Sequence, residues 1–99
     1  MAAMRCGTAR LSPCRPNPTR GTTTFDYSLR DNAAKANLSI YDLSGRRVRT
    51  LVNGPIAAGP HQVFWDGRSE AGRLAATGVY FYRLKVGTES ITRRLVLSR

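Results

Sequence analysis

The segment from Gly78 to Val86 constrains the fold most strongly, because its side chains alternate in character residue by residue. One face of an extended chain here is continuously apolar and carries Tyr80, Tyr82, Leu84 and Val86. The other face begins apolar and becomes basic, with Val79, Phe81, Arg83 and Lys85. Aromatic and β-branched residues suit a pleated, half-buried surface. The pattern therefore predicts a strand whose tyrosine-bearing face meets the core.

A polar connection precedes this strand, and Trp65, the single tryptophan, stands at its start. Asp66 can accept hydrogen bonds from backbone N–H groups two or three residues further on, and Gly67 can adopt positive φ. Gly78 ends the connection and opens the strand. We interpret this stretch as turn chemistry rather than catalytic chemistry.

Alternating or β-rich patterns predict further strands at residues 22–29, 36–41, 48–52, 61–65 and 90–97. Between the second and third of these, Asp42 to Arg46 predicts a hairpin turn in which Gly45 takes positive φ. Leu51 breaks the alternation of the next strand, which indicates a bulge near Thr50. A loop is expected to begin at residues 53–55. Six or seven short strands without helical periodicity predict an all-β, antiparallel sandwich.

The 99 residues fit one domain, which we place at residues 16–99. Residues 1–15 show no hydrophobic periodicity and lead into closely spaced prolines, so we expect a disordered tail or linker there. No apolar run approaches the ~20 residues of a membrane span. The apolar stretch at Met1 breaks off too soon for a secretory signal.

The residues that could carry chemistry are few and scattered. Cys6 and Cys14 could close a disulfide loop in an oxidising compartment or stay free thiols, and both alternatives are open. With His61 they supply too few ligands for a structural zinc site. We find no nucleophile motif and no glycine-rich phosphate loop joined to a helix. We therefore predict no enzyme, no cofactor, no metal and no small-molecule substrate.

The net charge of +10 and the pI near 11.1 raise the question of nucleic acid. However, the arginines are scattered from Arg5 to Arg99 rather than gathered on one predicted element. This distribution favours a solvated basic surface. Non-specific nucleic-acid binding is the least favoured of the functions considered.

Five stretches occur in an order and spacing that resemble a known group: residues 16–18, 38–46, 58–61, 65–68 and 78–84. The group is the immunoglobulin-like domain of the flagellar hook-capping protein, together with the related C-terminal sorting domains of type IX secretion cargo. The resemblance covers residues 16–99. Its signature positions in this chain are Asp42, Gly45, Arg46, Trp65, Asp66, Gly67, Gly78, Tyr80 and Tyr82.

The resemblance implies a non-catalytic module of a larger secreted or cell-surface bacterial protein, recognised by a protein partner. The first hypothesis is a C-terminal sorting or attachment domain read by translocation machinery. The alternative is a structural assembly module, as in the hook cap. We expect Arg93, Arg94 and Arg99 to face solvent at the chain end and to form the recognised feature.

Overall fold

Seven strands form two antiparallel sheets in the computed structural model, which describes residues 9–15 and 17–98. The strands are β1 (Ala9–Leu11), β2 (Thr23–Leu29), β3 (Ala33–Tyr41), β4 (Arg47–Ile56), β5 (Gly59–Trp65), β6 (Gly78–Val86) and β7 (Glu89–Leu97). One sheet has the order β1-β2-β5 and the other β4-β3-β6-β7. No helix occurs in the described residues, so the predicted all-β sandwich is confirmed.

The core lies between the two sheets, where alternate residues of each strand are buried. In β6 these are Tyr80, Tyr82 and Leu84, as the alternation predicted. Phe25 of β2 meets Tyr82 edge to face with ring centroids 4.7 Å apart, so aromatic rings join the sheets directly. Trp65 is fully buried at the end of β5.

The pairing of β3 with β4 contains the predicted bulge, but β4 is longer than the sequence predicted. Leu38 pairs with Val52 and Ser39 with Thr50, which leaves Leu51 as the extra residue. However, β4 continues to Ile56, where a loop was expected from residue 53. The prediction of that loop is wrong because Ala33 pairs with Ile56 and extends the ladder.

The N-terminal segment also differs from the sequence prediction. β1 lies at the edge of the three-stranded sheet, with Ala9 opposite Leu29 and Leu11 opposite Tyr27. Leu11 and Cys14 are both 3 % exposed. The expected tail is therefore wrong for residues 9–15, which add a strand and core side chains to the sandwich. Residues 1–8, and with them Cys6, lie outside the described residues; Cys14 is a free, buried thiol.

Asn17 protects the exposed edge of β7. Its Nδ2 donates to the Arg94 carbonyl at 3.2 Å, and its Oδ1 accepts from the Val96 N–H at 3.0 Å. An unpaired strand edge can pair with another chain, and such local contacts block it. The Asn17 side chain thereby connects the start of the domain predicted at residues 16–99 to its last strand.

Candidate functional site

The turn from Asp42 to Arg46 is held by one carboxylate oxygen. Oδ1 of Asp42 accepts from Ser44 Oγ at 2.6 Å, Ser44 N at 2.9 Å and Arg46 N at 3.0 Å. Gly45 has φ of 87°, as the hairpin prediction required. The hydrogen bonds from Ser44 and from the Arg46 backbone stabilise the charged form and hold the pKa of Asp42 below its ordinary value of 3.8. Arg46 contributes its backbone N–H to this turn.

Asp42→Asn is expected to make stability less sensitive to acid. The folded pKa lies below the unfolded one, so the carboxylate stabilises the fold above the unfolded pKa. That contribution is lost as pH falls through the folded pKa. Asparagine keeps an acceptor oxygen and removes only the charge. Urea melts of both proteins should differ at neutral pH, and the difference should shrink as the pH falls below the unfolded pKa and through the folded one; a constant difference across this acid range would contradict the assignment.

The connection after β5 is built around Trp65. The indole Nε1–H donates to the Arg68 carbonyl at 2.8 Å, and the Arg68 N–H donates to Asp66 Oδ1 at 3.0 Å. Gly67 between them has φ of 79°, in the left-handed region. Arg49 of β4 lies 3.3 Å from the Asp66 carboxylate and 3.5 Å from that of Glu70. The acids here complete a turn and an ion pair, as the turn interpretation proposed.

Gly78 and Tyr80 continue this arrangement into β6. Gly78 opens the strand opposite Leu97. The Tyr80 hydroxyl donates to the Ala76 carbonyl at 2.5 Å, and its ring meets Trp65 edge to face at 5.8 Å. These two signature positions therefore anchor the connection to the core.

Tyr82 ties the N-terminal segment to the core. Its hydroxyl accepts from the Cys14 N–H at 2.9 Å and donates to the Ser12 carbonyl at 3.2 Å. Burial is the main reason that the pKa of Tyr82 is raised to about 12. Burial likewise raises the pKa of the Cys14 thiol. Sequence reasoning assigned Tyr82 to the core but could not assign partners to its hydroxyl.

The three arginines proposed for recognition do not form one patch in the described structure. Arg93 and Arg94 are consecutive in β7 and point to opposite faces. Arg93 reaches across the sandwich edge, where its Nε donates to the Leu11 carbonyl at 2.6 Å. Arg94 lies on the outer face opposite Phe81. Arg99 lies outside the described residues.

Arg93→Gln is expected to cost about 1 kcal/mol of unfolding free energy, because it removes a charge-assisted hydrogen bond in a partly buried position. Arg94→Gln should change stability by less than about 0.5 kcal/mol, as exposed substitutions usually do. Chemical denaturation of both variants beside the parent checks the difference. Equal values for the two variants would show that the contact with Leu11 contributes nothing measurable.

Aromatic and basic side chains meet on the outer face of the four-stranded sheet, the side turned away from the core. The strand register places one row across all four strands, consisting of Arg47, Tyr41, Phe81 and Arg94. In the next row, Arg83 of β6 leans over Tyr41, with its guanidinium carbon 4.8 Å from the ring centroid. Its Nη2 also donates to the Tyr41 hydroxyl at 3.2 Å. We call these five residues the basic outer face.

Residues 9–15 and 17–98 contain neither a metal-binding cluster nor a membrane-spanning helix. That part of the chain brings no three His, Cys, Asp or Glu side chains into a metal-binding cluster. It also contains no helix long and apolar enough to cross a lipid bilayer. His61 stacks on Tyr27 with ring centroids 5.3 Å apart, and its Nε2 lies 2.7 Å from the Ala57 carbonyl.

Two antiparallel sheets packed on a shared aromatic core, with polar turns between short strands, define an immunoglobulin-like module. Within this class the chain belongs to the FlgD Ig-like domain family, whose model matches residues 17–90. This confirms the hook-capping part of the resemblance drawn from the sequence motifs.

The curated relatives are flagellar proteins. The chain is 41 % identical over 59 residues to the basal-body rod modification protein FlgD of Salmonella typhimurium, covering 60 % of this chain and 25 % of that protein. The protein of the same name from Escherichia coli K12 is 39 % identical over 59 residues, covering 60 % of this chain and 26 % of the relative. The chain thus spans about a quarter of these relatives' length.

Solved structures share the fold. Latent PorU from Porphyromonas gingivalis superposes with a TM-score of 0.71 at 22 % identity, covering 90 % of this chain and 9 % of PorU. FlgD from P. aeruginosa gives 0.59 at 24 % identity, covering 78 % of this chain and 60 % of that one. PorZ, a surface component of the P. gingivalis type IX secretion system, superposes with a TM-score of 0.60 at 21 % identity. The match covers 92 % of this chain and 11 % of PorZ. At these identities the likeness concerns the fold alone.

Proposed function

We propose that this chain is a non-catalytic immunoglobulin-like module through which a larger bacterial protein binds another protein in an extracellular assembly. The observations that carry the proposal are the family match over residues 17–90 and the 41 % identity over 59 residues to the FlgD of Salmonella typhimurium. The name of that relative describes it as a basal-body rod modification protein. We extend to this chain the role of a structural partner in such an assembly.

The local chemistry supports a structural role. Asp42 and Asp66 accept hydrogen bonds from backbone groups of their own turns, and Glu70 pairs with Arg49. These acids are thus committed to holding loops. What the sandwich presents outward is a rigid sheet surface, and a surface of this kind suits binding to a protein. The proposal requires no cofactor and no small-molecule substrate.

A graft into a flagellar FlgD tests this proposal. The Salmonella FlgD with its own immunoglobulin-like segment replaced by the full chain should support swimming, whereas FlgD with the segment deleted should not. A graft carrying Trp65→Ala, which removes the core tryptophan, serves as the destabilised control. A correctly exported, folded graft that leaves cells non-motile would contradict the assembly role.

The second candidate is the sorting role in type IX secretion. It is supported by the motif resemblance, and the sandwich has the same fold as PorU over 90 % of its length. The test places a reporter protein before the full chain in a host with type IX secretion and asks whether the reporter reaches the cell surface. Retention of the reporter in the periplasm would exclude this role. Equal export of an Arg94→Gln fusion would show that Arg94 is not the recognised feature.

A further inference from the structure

We propose that the basic outer face is a docking surface for an acidic protein segment, one in which carboxylates flank apolar side chains. The inference rests on the proposed function and names both the surface and the chemistry of the partner. Its basis is the placement of charge and apolar area on one side of the four-stranded sheet.

The arginines of the basic outer face form none of the ion pairs found within the described part of the chain. The ion pairs found there involve Arg15 and Arg49, and neither residue belongs to the basic outer face. Lys85 extends the face along β6, two residues beyond Arg83. Asp42 lies at its edge and offsets part of this positive charge, while its carboxylate accepts three hydrogen bonds within its own turn. A surface with more cations than carboxylates attracts a partner of opposite charge and steers its approach.

The outer face of the other sheet is different. There Asp26 of β2 pairs with Arg15 and also accepts from Gln62 Nε2 at 3.0 Å. Arg10 of β1 lies on the same side, opposite Ser28. This sheet therefore carries a compensated carboxylate, and Arg10 offers a matched arginine on a surface that the proposal does not use.

Apolar area accompanies the charge. Leu43, at the tip of the hairpin, is 69 % exposed, and Val96 of β7 is 36 % exposed beside the row. A shallow depression of about 250 Å³ lies between Leu43, Tyr41, Phe81 and Arg83, with Asp42 also in its lining. A buried apolar centre with a charged rim is the usual anatomy of a protein interface. A leucine-sized side chain in this depression would place neighbouring carboxylates near Arg83 and Arg94.

The same face suits single-stranded nucleic acid less well. Binding of that kind depends on aromatic rings whose faces are open to stacking bases. Here the Arg83 guanidinium already covers the Tyr41 ring and is fixed there by a hydrogen bond to its hydroxyl. The arrangement holds Arg83 in place for a carboxylate while it occupies one face of the Tyr41 ring.

Fluorescence anisotropy with the full chain tests the proposal. The probe is a labelled peptide in which pairs of glutamates alternate with single leucines, measured at about 0.15 M salt. Replacing Arg83 and Arg94 together by glutamine should weaken binding by about tenfold or more, since each contributes a charge-assisted contact. Arg10→Gln should change the dissociation constant by less than about twofold, as for a charge distant from the interface. A glutamine-for-glutamate peptide should bind far more weakly.

Charge reversal gives a second test that does not depend on Arg83. Arg94→Glu, at an exposed position, should weaken binding of the glutamate peptide. It should also strengthen binding of the same peptide with lysines in place of glutamates. Thermal melts confirm that each variant is folded. Such an exchange of preference is specific to the position of Arg94 and would not follow from the overall charge of the chain.

The proposal is overturned if the arginine variants bind the peptide as the parent does, if Arg10→Gln weakens it equally, or if a thymidine oligonucleotide binds more tightly than the peptide. The flagellar graft separates these failures from failure of the proposed function. A graft that swims normally with Arg83→Gln and Arg94→Gln in place would leave the assembly role intact and remove the basic outer face from it. Loss of swimming in that graft, at unchanged export, would support both.

Discussion

Trp65→Ala is expected to lower the free energy of unfolding by about 3–5 kcal/mol, the usual cost of truncating a fully buried aromatic side chain. Trp65 has no exposed surface, packs against Tyr80, and donates its indole N–H to the Arg68 carbonyl. The substitution would leave a cavity and also release the connection that begins at Asp66. Small domains have about 5–15 kcal/mol to lose, so the variant should be largely unfolded at elevated temperature.

The neighbouring residue supplies the control for this prediction. Phe64 lies in the same strand, is also aromatic, and is 61 % exposed because it points away from the core. Phe64→Ala should therefore change stability by less than about 0.5 kcal/mol. Urea denaturation of the two variants and the parent makes the comparison. Similar losses for both substitutions would contradict the core described for β5.

Removing residues 1–15 is expected to have the second large effect. A chain that starts at Pro16 loses β1, whose Leu11 is buried, and also loses Cys14 from the core. Complete burial of a leucine-sized side chain contributes about 1.5–3 kcal/mol, and each hydrogen bond about 1 kcal/mol. The Tyr82 hydroxyl would lose both of its partners in that chain, and Arg93 would lose the Leu11 carbonyl. We expect a loss of about 3 kcal/mol or more in total.

The matched chain begins at Ala9 and keeps every contact just named. It should unfold at a clearly higher urea concentration than the chain that begins at Pro16. Tyr82→Phe in the full chain keeps the ring against Phe25 but removes the hydroxyl, so its stability should fall between these two. If the chains that begin at Ala9 and Pro16 unfold at the same urea concentration, the first strand does not contribute to the stability of the fold.

The family's signature positions hold the fold together. Asp42, Gly45, Asp66 and Gly67 form turns, while Trp65 and the tyrosines of β6 connect those turns to the core. The signature therefore describes a scaffold. We propose that a partner is recognised by side chains outside these signature positions, with Arg83 and Arg94 on the basic outer face as our candidates.

Local sequence patterns determined most of the sandwich. Alternation of side chains is a property of consecutive residues, so the buried face of β6 and the basic end of its opposite face could be predicted without any partner strand. The turn at Asp42 is equally local, since a carboxylate bonds to N–H groups two and four residues ahead. The bulge beside Thr50 followed from a break in alternation within one strand.

Contacts distant in sequence were decided by tertiary structure alone. β1 has three residues, too few for a periodicity, and its placement depends on pairing with β2. Arg93 was predicted to face solvent and is exposed, but its hydrogen bond to the Leu11 carbonyl, 82 positions away, could not be predicted from the sequence. The row from Arg47 to Arg94 exists because the register of three strand pairs aligns four distant residues. Sequence periodicity assigns a side chain to a face, whereas its neighbours there depend on a register set by the packing of the whole sandwich.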